Sequence, residues 1–102
     1  MKKLFMTAAL CLFGLPAMAE TRVAVSMTSF DNPFLTILLN GIRSEVAQTG
    51  SIDLVAEDAQ LDPAKQLSQV QNFIANGVDA IIVNAVDGDS TAAITRAAAD
   101  AK

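Results

Sequence analysis

Twice in this 102-residue chain a helix-capping side chain stands immediately before a proline, at Asn32-Pro33 and at Asp62-Pro63. An Asn or Asp that accepts a hydrogen bond from the first turn, followed by a residue with no N–H to leave unpaired, marks a helix start by local chemistry alone. Each pair follows a short strand-like run. The first expected strand is Val23 to Met27, and the helix after Pro33 carries apolar residues at Phe34, Ile37, Leu38, Ile42 and Val46 before Gly50 closes it. The second strand is Ile52 to Glu57, with Ile52, Leu54 and Val55 as its apolar positions. The helix after Pro63 places Leu67, Val70 and Ile74 in its buried stripe and ends at Asn76-Gly77. A third run, Ala80-Ile81-Ile82-Val83-Asn84, is almost continuously apolar, as expected of a strand covered on both faces. An alanine-rich helix then starts at Asp89 or Ser90 and runs through Ile94, Ala97, Ala98 and Ala101.

The alternation β-α-β-α-β-α predicts an α/β fold, a three-layer parallel sheet with helices on both faces and right-handed crossovers. In the usual doubly wound start the strand order is 2-1-3, which makes the first and third strands neighbours. Asn32 and Phe34 then face Asn84 to Asp87 across the carboxyl ends of those strands. After the third helix no further strand covers the third one. An unpaired apolar edge and a small core are poorly suited to a free-standing domain, so the chain reads as the N-terminal part of a longer protein.

The first nineteen residues stand apart. Lys2 and Lys3 form a positive start, Leu4 to Leu15 an apolar core, and Pro16 leads into Ala17-Met18-Ala19, the pattern of a secretory signal peptide cleaved after Ala19. The one cysteine, Cys11, lies inside that core behind Leu10, where lipidation would want a small residue. The remainder, residues 20–102, then has no thiol for a disulfide, a thiolate metal site or a nucleophile. Without Lys2 and Lys3, five basic residues face eleven acids, a net charge of −6 that repels nucleic acid.

Little in the chain supports catalysis. It has no His, Tyr or Trp, so Ser26, Ser29 and Ser90 have no activating base. Thr28-Ser29-Phe30-Asp31-Asn32-Pro33 lacks the glycines of a dinucleotide or phosphate loop. No cofactor or metal is expected. The acids Glu57, Asp58, Asp87 and Asp89 fall at strand ends, where they could converge on a cation or accept a phosphoryl group as in a receiver domain. The acceptor position at the end of the third strand is Asn84, however. The plainer reading makes Asp62, Asp89 and Ser90 helix caps and Glu57 a solvated side chain, and leaves Asp58 as the acid singled out as a candidate site residue.

The segment Ser29-Phe30-Asp31-Asn32-Pro33-Phe34-Leu35 puts an amide, an aromatic ring and a helix start at the tip of a buried strand. That is where open α/β sheets meet their ligands, and a ring beside hydrogen-bonding groups suits a sugar-like molecule. Asn84 has two readings, a turn cap or a donor and acceptor for a hydroxyl. Asn32 is both an N-cap and a cleft residue. Phe34 is either the first core residue of its helix or a stacking ring, and a core supplied by Ile37 and Leu38 has no need of it. Phe30 and Leu35 are weaker candidates of the same kind.

The signal peptide, the Val-Ala-Val-Ser strand, Phe30-Asp31-Asn32-Pro33-Phe34-Leu35, Glu57 to Gln66, and Asn76 to Asp87 together resemble the periplasmic sugar-binding proteins of the ribose, galactose and inositol type. The resemblance runs through the whole segment after Ala19. It implies the first part of a two-lobed receptor that closes on a monosaccharide or cyclitol and delivers it to the membrane permease of an ATP-driven importer. Residue by residue, it makes Asn32 a polar ligand contact, Phe34 the stacking ring of the first loop and Asn84 the amide contact after the third strand. Leu35 falls where ribose binders resemble one another in having a second Phe, a departure that counts against a ribose-sized pentose and leaves a hexose or cyclitol open. A periplasmic receptor feeding a sensor kinase or chemoreceptor is the alternative function; a cytoplasmic repressor is excluded by the signal peptide.

Overall fold

The computed structural model describes residues 20–101 together with Gly14. The expected signal peptide, including Cys11, therefore lies outside the described residues apart from Gly14. The elements follow in the order β1 (Thr21–Met27), α1 (Pro33–Thr49), β2 (Ile52–Asp58), α2 (Pro63–Ala75), β3 (Ala80–Val83) and α3 (Thr91–Asp100). The strands form one parallel sheet in the order β2-β1-β3, as the sequence predicts.

Both capping pairs behave as their chemistry requires. Asn32 is extended, with φ −82° and ψ 121°, and its side chain accepts the Phe34 N–H at 2.9 Å. Asp62 is likewise extended and accepts from the N–H groups of Ala64 and Lys65 at 2.9 and 3.1 Å. At the far end of α1, Gly50 takes a left-handed φ of 72° and returns its N–H to the Val46 carbonyl, a conformation that any side chain would strain.

Strand period sorts β1 into two faces. Val25 and Met27 pack on Leu35 and Leu39 of α1, with Leu54 and Ala56 of β2 alongside. Ser26 points the other way and bonds to α2. The β1-to-β2 and β2-to-β3 crossovers run in opposite directions across the sheet, so crossovers of one hand require α1 and α2 on opposite faces. α3 joins α2.

The helix faces differ from the sequence expectation. In α1 the buried positions are Leu35 and Leu39, whereas Phe34, Ile37 and Leu38 are exposed, Ile37 by 71%. The helix is apolar over most of its circumference, so its pattern does not single out the stripe that meets the sheet. In α2 the buried set is Gln66, Gln69, Val70 and Phe73, with Leu67 and Ile74 half-buried on its flank. Nor is β3 covered on both faces among the described residues, because Ile82 is 43% exposed. Ile82, Val23, Ile37, Leu38 and Gly41 instead border an apolar groove of about 590 Å³ on the α1 side of the sheet.

The two α1 faces separate by mutation in this chain. Leu39→Ala removes a side chain only 4% exposed and is expected to destabilise by about 2–4 kcal/mol in a urea titration. Ile37→Ala is expected to stay within about 0.5 kcal/mol of the parent.

Candidate ligand-binding face

Parallel strands end together, and the loops after β1, β2 and β3 share the carboxyl edge of the sheet. The β1 and β3 ends are stitched directly: the Asn84 N–H donates to the Ser26 carbonyl at 2.9 Å. The Thr28 N–H donates to Asn84 Oδ1 at 3.2 Å, and the Thr28 hydroxyl lies 2.9 Å from the Asn84 carbonyl and 3.1 Å from that of Ala85. The β2 end is tied in by the Ala59 N–H to the Met27 carbonyl and the Leu61 N–H to the Thr28 carbonyl, at 2.8 and 2.9 Å. Between them Gln60 and Leu61 both hold left-handed φ values, 52° and 59°. Each costs about 1–2 kcal/mol in a residue with a Cβ, and the two cross-loop bonds together with Lys65 Nζ donating to Gln60 Oε1 at 2.8 Å hold them there.

The expected site residues divide on this edge. Phe34, in the first turn of α1, is 69% exposed and does not serve the core. Phe30 is 37% exposed, and its carbonyl accepts from the Thr36 hydroxyl at 3.1 Å, which fixes the loop against the helix. Asn32 is exposed and spends Oδ1 on the α1 cap. Asn84 is half-buried with Oδ1 engaged by Thr28, so its oxygen serves the turn; its Nδ2 makes no hydrogen bond among the described residues. The turn-cap reading thus accounts for half of the amide.

Leu35 differs from its neighbour in the loop motif. It is 7% exposed and sits in the core with Val25, Met27 and Leu39, one helical position round from the exposed Phe34. Its side chain packs on the sheet, whereas that of Phe34 stands open.

The acids do not assemble. Asp58 is half-buried and accepts the Gln60 N–H through Oδ1 at 2.7 Å, closing an Asx turn. Asp89 and Ser90 provide no side-chain cap for α3; that place is filled by Asp87, whose Oδ1 accepts the Ser90 N–H at 2.7 Å. The Ser90 backbone N–H, and then its hydroxyl, hold the Asp87 carboxyl below its ordinary value. Among the described residues no three His, Cys, Asp or Glu side chains are grouped to hold a metal ion. The large apolar groove offers no alternative centre for polar chemistry: it lies along the flank of α1, and none of Phe30, Asn32, Phe34, Asp58 and Asn84 lines it.

The sequence reading missed Gln66 and Gln69. Both are buried, and both reach the strand ends from α2: Gln66 Nε2 donates to the Asn84 carbonyl at 2.9 Å, and Gln69 Nε2 to that of Asp58 at 2.8 Å. Their spacing of three on a helix that also carries Val70 and Phe73 was the available signal.

The carboxyl edge of this doubly wound sheet start thus carries an exposed ring, Phe34, and the amides of Asn32 and Asn84. Residues 23–102 match the model of the periplasmic binding protein domain, and the chain belongs to that family. It is 50% identical over 94 residues to a Rhizobium meliloti protein named as a candidate rhizopine-binding protein, covering 92% of this chain and 30% of the relative. It is 33% identical over 86 residues to the ribose import binding protein of Salmonella typhimurium, covering 84% and 29%. Among solved structures, an ABC transporter solute-binding protein from Bacillus halodurans with bound myo-inositol superposes with a TM-score of 0.76 at 35% identity. That match covers 83% of this chain and 30% of the other. One from Mycobacterium smegmatis with bound glycerol gives 0.73 at 27% identity, covering 80% and 28%. The chain thus spans under a third of the length of these relatives.

The Asp87 cap carries a pH signature. A carboxyl with a lowered folded pKa supports the helix start fully above the ordinary value of 3.8 and loses that support as pH falls through the lower folded value. A titration followed by the Ser90 amide resonance is expected to show its midpoint below 3.8. A midpoint at or above 3.8 would remove Asp87 from the cap.

Proposed function

We propose that this chain is the leading part of the substrate-binding component of an ATP-driven sugar or polyol importer, exported by a signal peptide cleaved after Ala19 and working in the periplasm. In this reading residues 20–102 form part of the first lobe, and a second lobe completes the site. The ligand is a monosaccharide or cyclitol, and the partner is the membrane permease. The observation that carries the reading is Phe34, a ring 69% exposed at the carboxyl edge of the sheet, next to Asn32 and on the same edge as Asn84. A flat apolar face with amides on the same edge suits a polyol ring, whose C–H face desolvates against the aromatic while its hydroxyls exchange hydrogen bonds. Phe30 borders the same loop, and Asp58 lies at the neighbouring strand end.

The relatives support a polyhydroxylated ligand without deciding its ring. The solved neighbour with myo-inositol and the ribose import relative are both near one-third identity. The uncovered groove beside Ile37, Leu38 and Ile82 supports further chain packing on the α1 side. The function we assign is binding. Ligand contacts with two lobes would favour the closed state and so signal the permease.

In the two-lobed protein, a thermal-shift panel of myo-inositol, D-ribose and D-galactose is expected to raise the midpoint with at least one of them. No shift with any monosaccharide or polyol would end this reading. Phe34→Ala is expected to weaken that ligand by about tenfold or more in calorimetry while folding persists. Unchanged affinity would return Phe34 to a local structural role. The present chain alone, with one wall of the site, is expected to bind weakly or not at all; micromolar affinity would show that one wall suffices.

A further inference from the structure

The ends of all three strands are held from inside the molecule by one chain of neutral side chains. Gln66 is fully buried, and its amide is saturated: Nε2 donates to Ser26 Oγ at 3.1 Å and to the Asn84 carbonyl at 2.9 Å, while Oε1 accepts the Val86 N–H at 2.9 Å. Ser26, also fully buried, donates to Gln69 Oε1 at 2.8 Å, and Gln69 Nε2 donates to the Asp58 carbonyl at 2.8 Å. Among the described residues no buried side-chain polar atom is left without a partner.

The direction of the Gln66 amide is dictated, because only one orientation sets N–H toward the Asn84 carbonyl and oxygen toward the Val86 N–H. It therefore grips the loop after β3 on both sides of Ala85. Thr28 of the β1 loop also donates to the same Asn84 carbonyl and to its Oδ1. With the oxygen fixed there, the placement of the free Nδ2 follows from where Gln66 and Thr28 hold the backbone. α2 itself is pinned by Asp62 at its start, so the grip comes from a rigid element.

We propose that Gln66 is a positioning residue of the ligand site, setting affinity by holding Asn84 to Val86 against Thr28 without itself meeting the ligand. The proposal rests on the reading of Asn84 as a ligand contact. Gln66→Met keeps the volume and removes both donors and the acceptor, leaving the Val86 N–H and the Asn84 carbonyl to be satisfied otherwise. Phe73→Ala, toward the other end of α2, opens the core without touching the loop.

In the two-lobed protein, Gln66→Met is expected to speed hydrogen exchange at the Val86 amide and to weaken the ligand from the panel above by about tenfold. Phe73→Ala is expected to lower the thermal midpoint while leaving affinity within about twofold of the parent. Parent-like affinity in Gln66→Met, or equal weakening in both variants, would overturn the proposal. If Gln66→Met does not fold, Gln66→Glu replaces it. A protonated carboxyl can donate and accept in place of the amide, and burial raises its pKa, so affinity relative to the parent is expected to recover from about pH 8 to about pH 5. A flat ratio would count as the same refutation. If the parent binds none of the panel, the sugar reading fails, and exchange at Val86 alone decides whether Gln66 holds the loop.

Discussion

Everything in this fold depends on β1, the strand that has hydrogen-bonded neighbours on both sides and helices on both faces. Its alternation commits Val25 and Met27 to an apolar contact with α1, and Ser26 to a polar one with α2. Those two commitments differ in kind. The α1 face is held by area and tolerates adjustment, whereas the α2 face is held by directed bonds that fail if any partner moves by about an ångström. The carboxyl edge, where the candidate ligand residues lie, is governed by the second kind. A hydroxyl buried on a central strand is thus the anchor from which the geometry of the three loops is built.

The parts that could be read from the sequence are those decided by near neighbours. Asn32-Pro33 and Asp62-Pro63 start helices because the accepting oxygen and the donating N–H lie within three residues of each other, and Gly50 ends one because its φ is local. Strand order followed from topology rules that need only the alternation of elements. Which face of a helix meets the sheet is decided by distant partners. In α1 the leucines, isoleucines and phenylalanine surround most of the axis, so Leu35 and Leu39 look no more buried than Ile37 and Leu38 until the sheet is in place. In α2 the error has the opposite cause, since a glutamine reads as a solvent residue. Gln66 and Gln69 are buried because Ser26, two strand-end carbonyls and the Val86 N–H are waiting for them. None of those partners is near in sequence.

The same distinction governs the site. The position of Phe34 at the mouth of α1 followed from its place after Asn32-Pro33, and its exposure agrees with a stacking ring. Leu35, one residue on, belongs to the core because a step of one residue turns a helix by about 100°. A loop motif that runs from Ser29 to Leu35 without a break in sequence is therefore buried at its two ends, Ser29 and Leu35, and exposed from Phe30 to Phe34 between them.

The two edges of the sheet are held by different chemistry. At the amino edge the ties are ionic and exposed: the Arg22 guanidinium lies 3.6 Å from Asp53, its backbone N–H donates to Asp79 at 2.8 Å, and its side chain reaches the Asn76 carbonyl at 3.0 Å. Such contacts are screened by salt and weak one by one, which suits an edge that has only to start two strands in register. At the carboxyl edge the inner ties are amides and a hydroxyl, neutral and buried. A charged partner in place of Gln66 would carry a desolvation penalty and would lay a fixed field across the cleft. Neutral amides avoid both, and they leave the Asn84 Nδ2 as a dipole whose strength does not change with pH. Under the proposed reading of Asn84 as a ligand contact, a neutral and saturated support orients that amide toward an uncharged, hydroxyl-bearing ligand without competing for it.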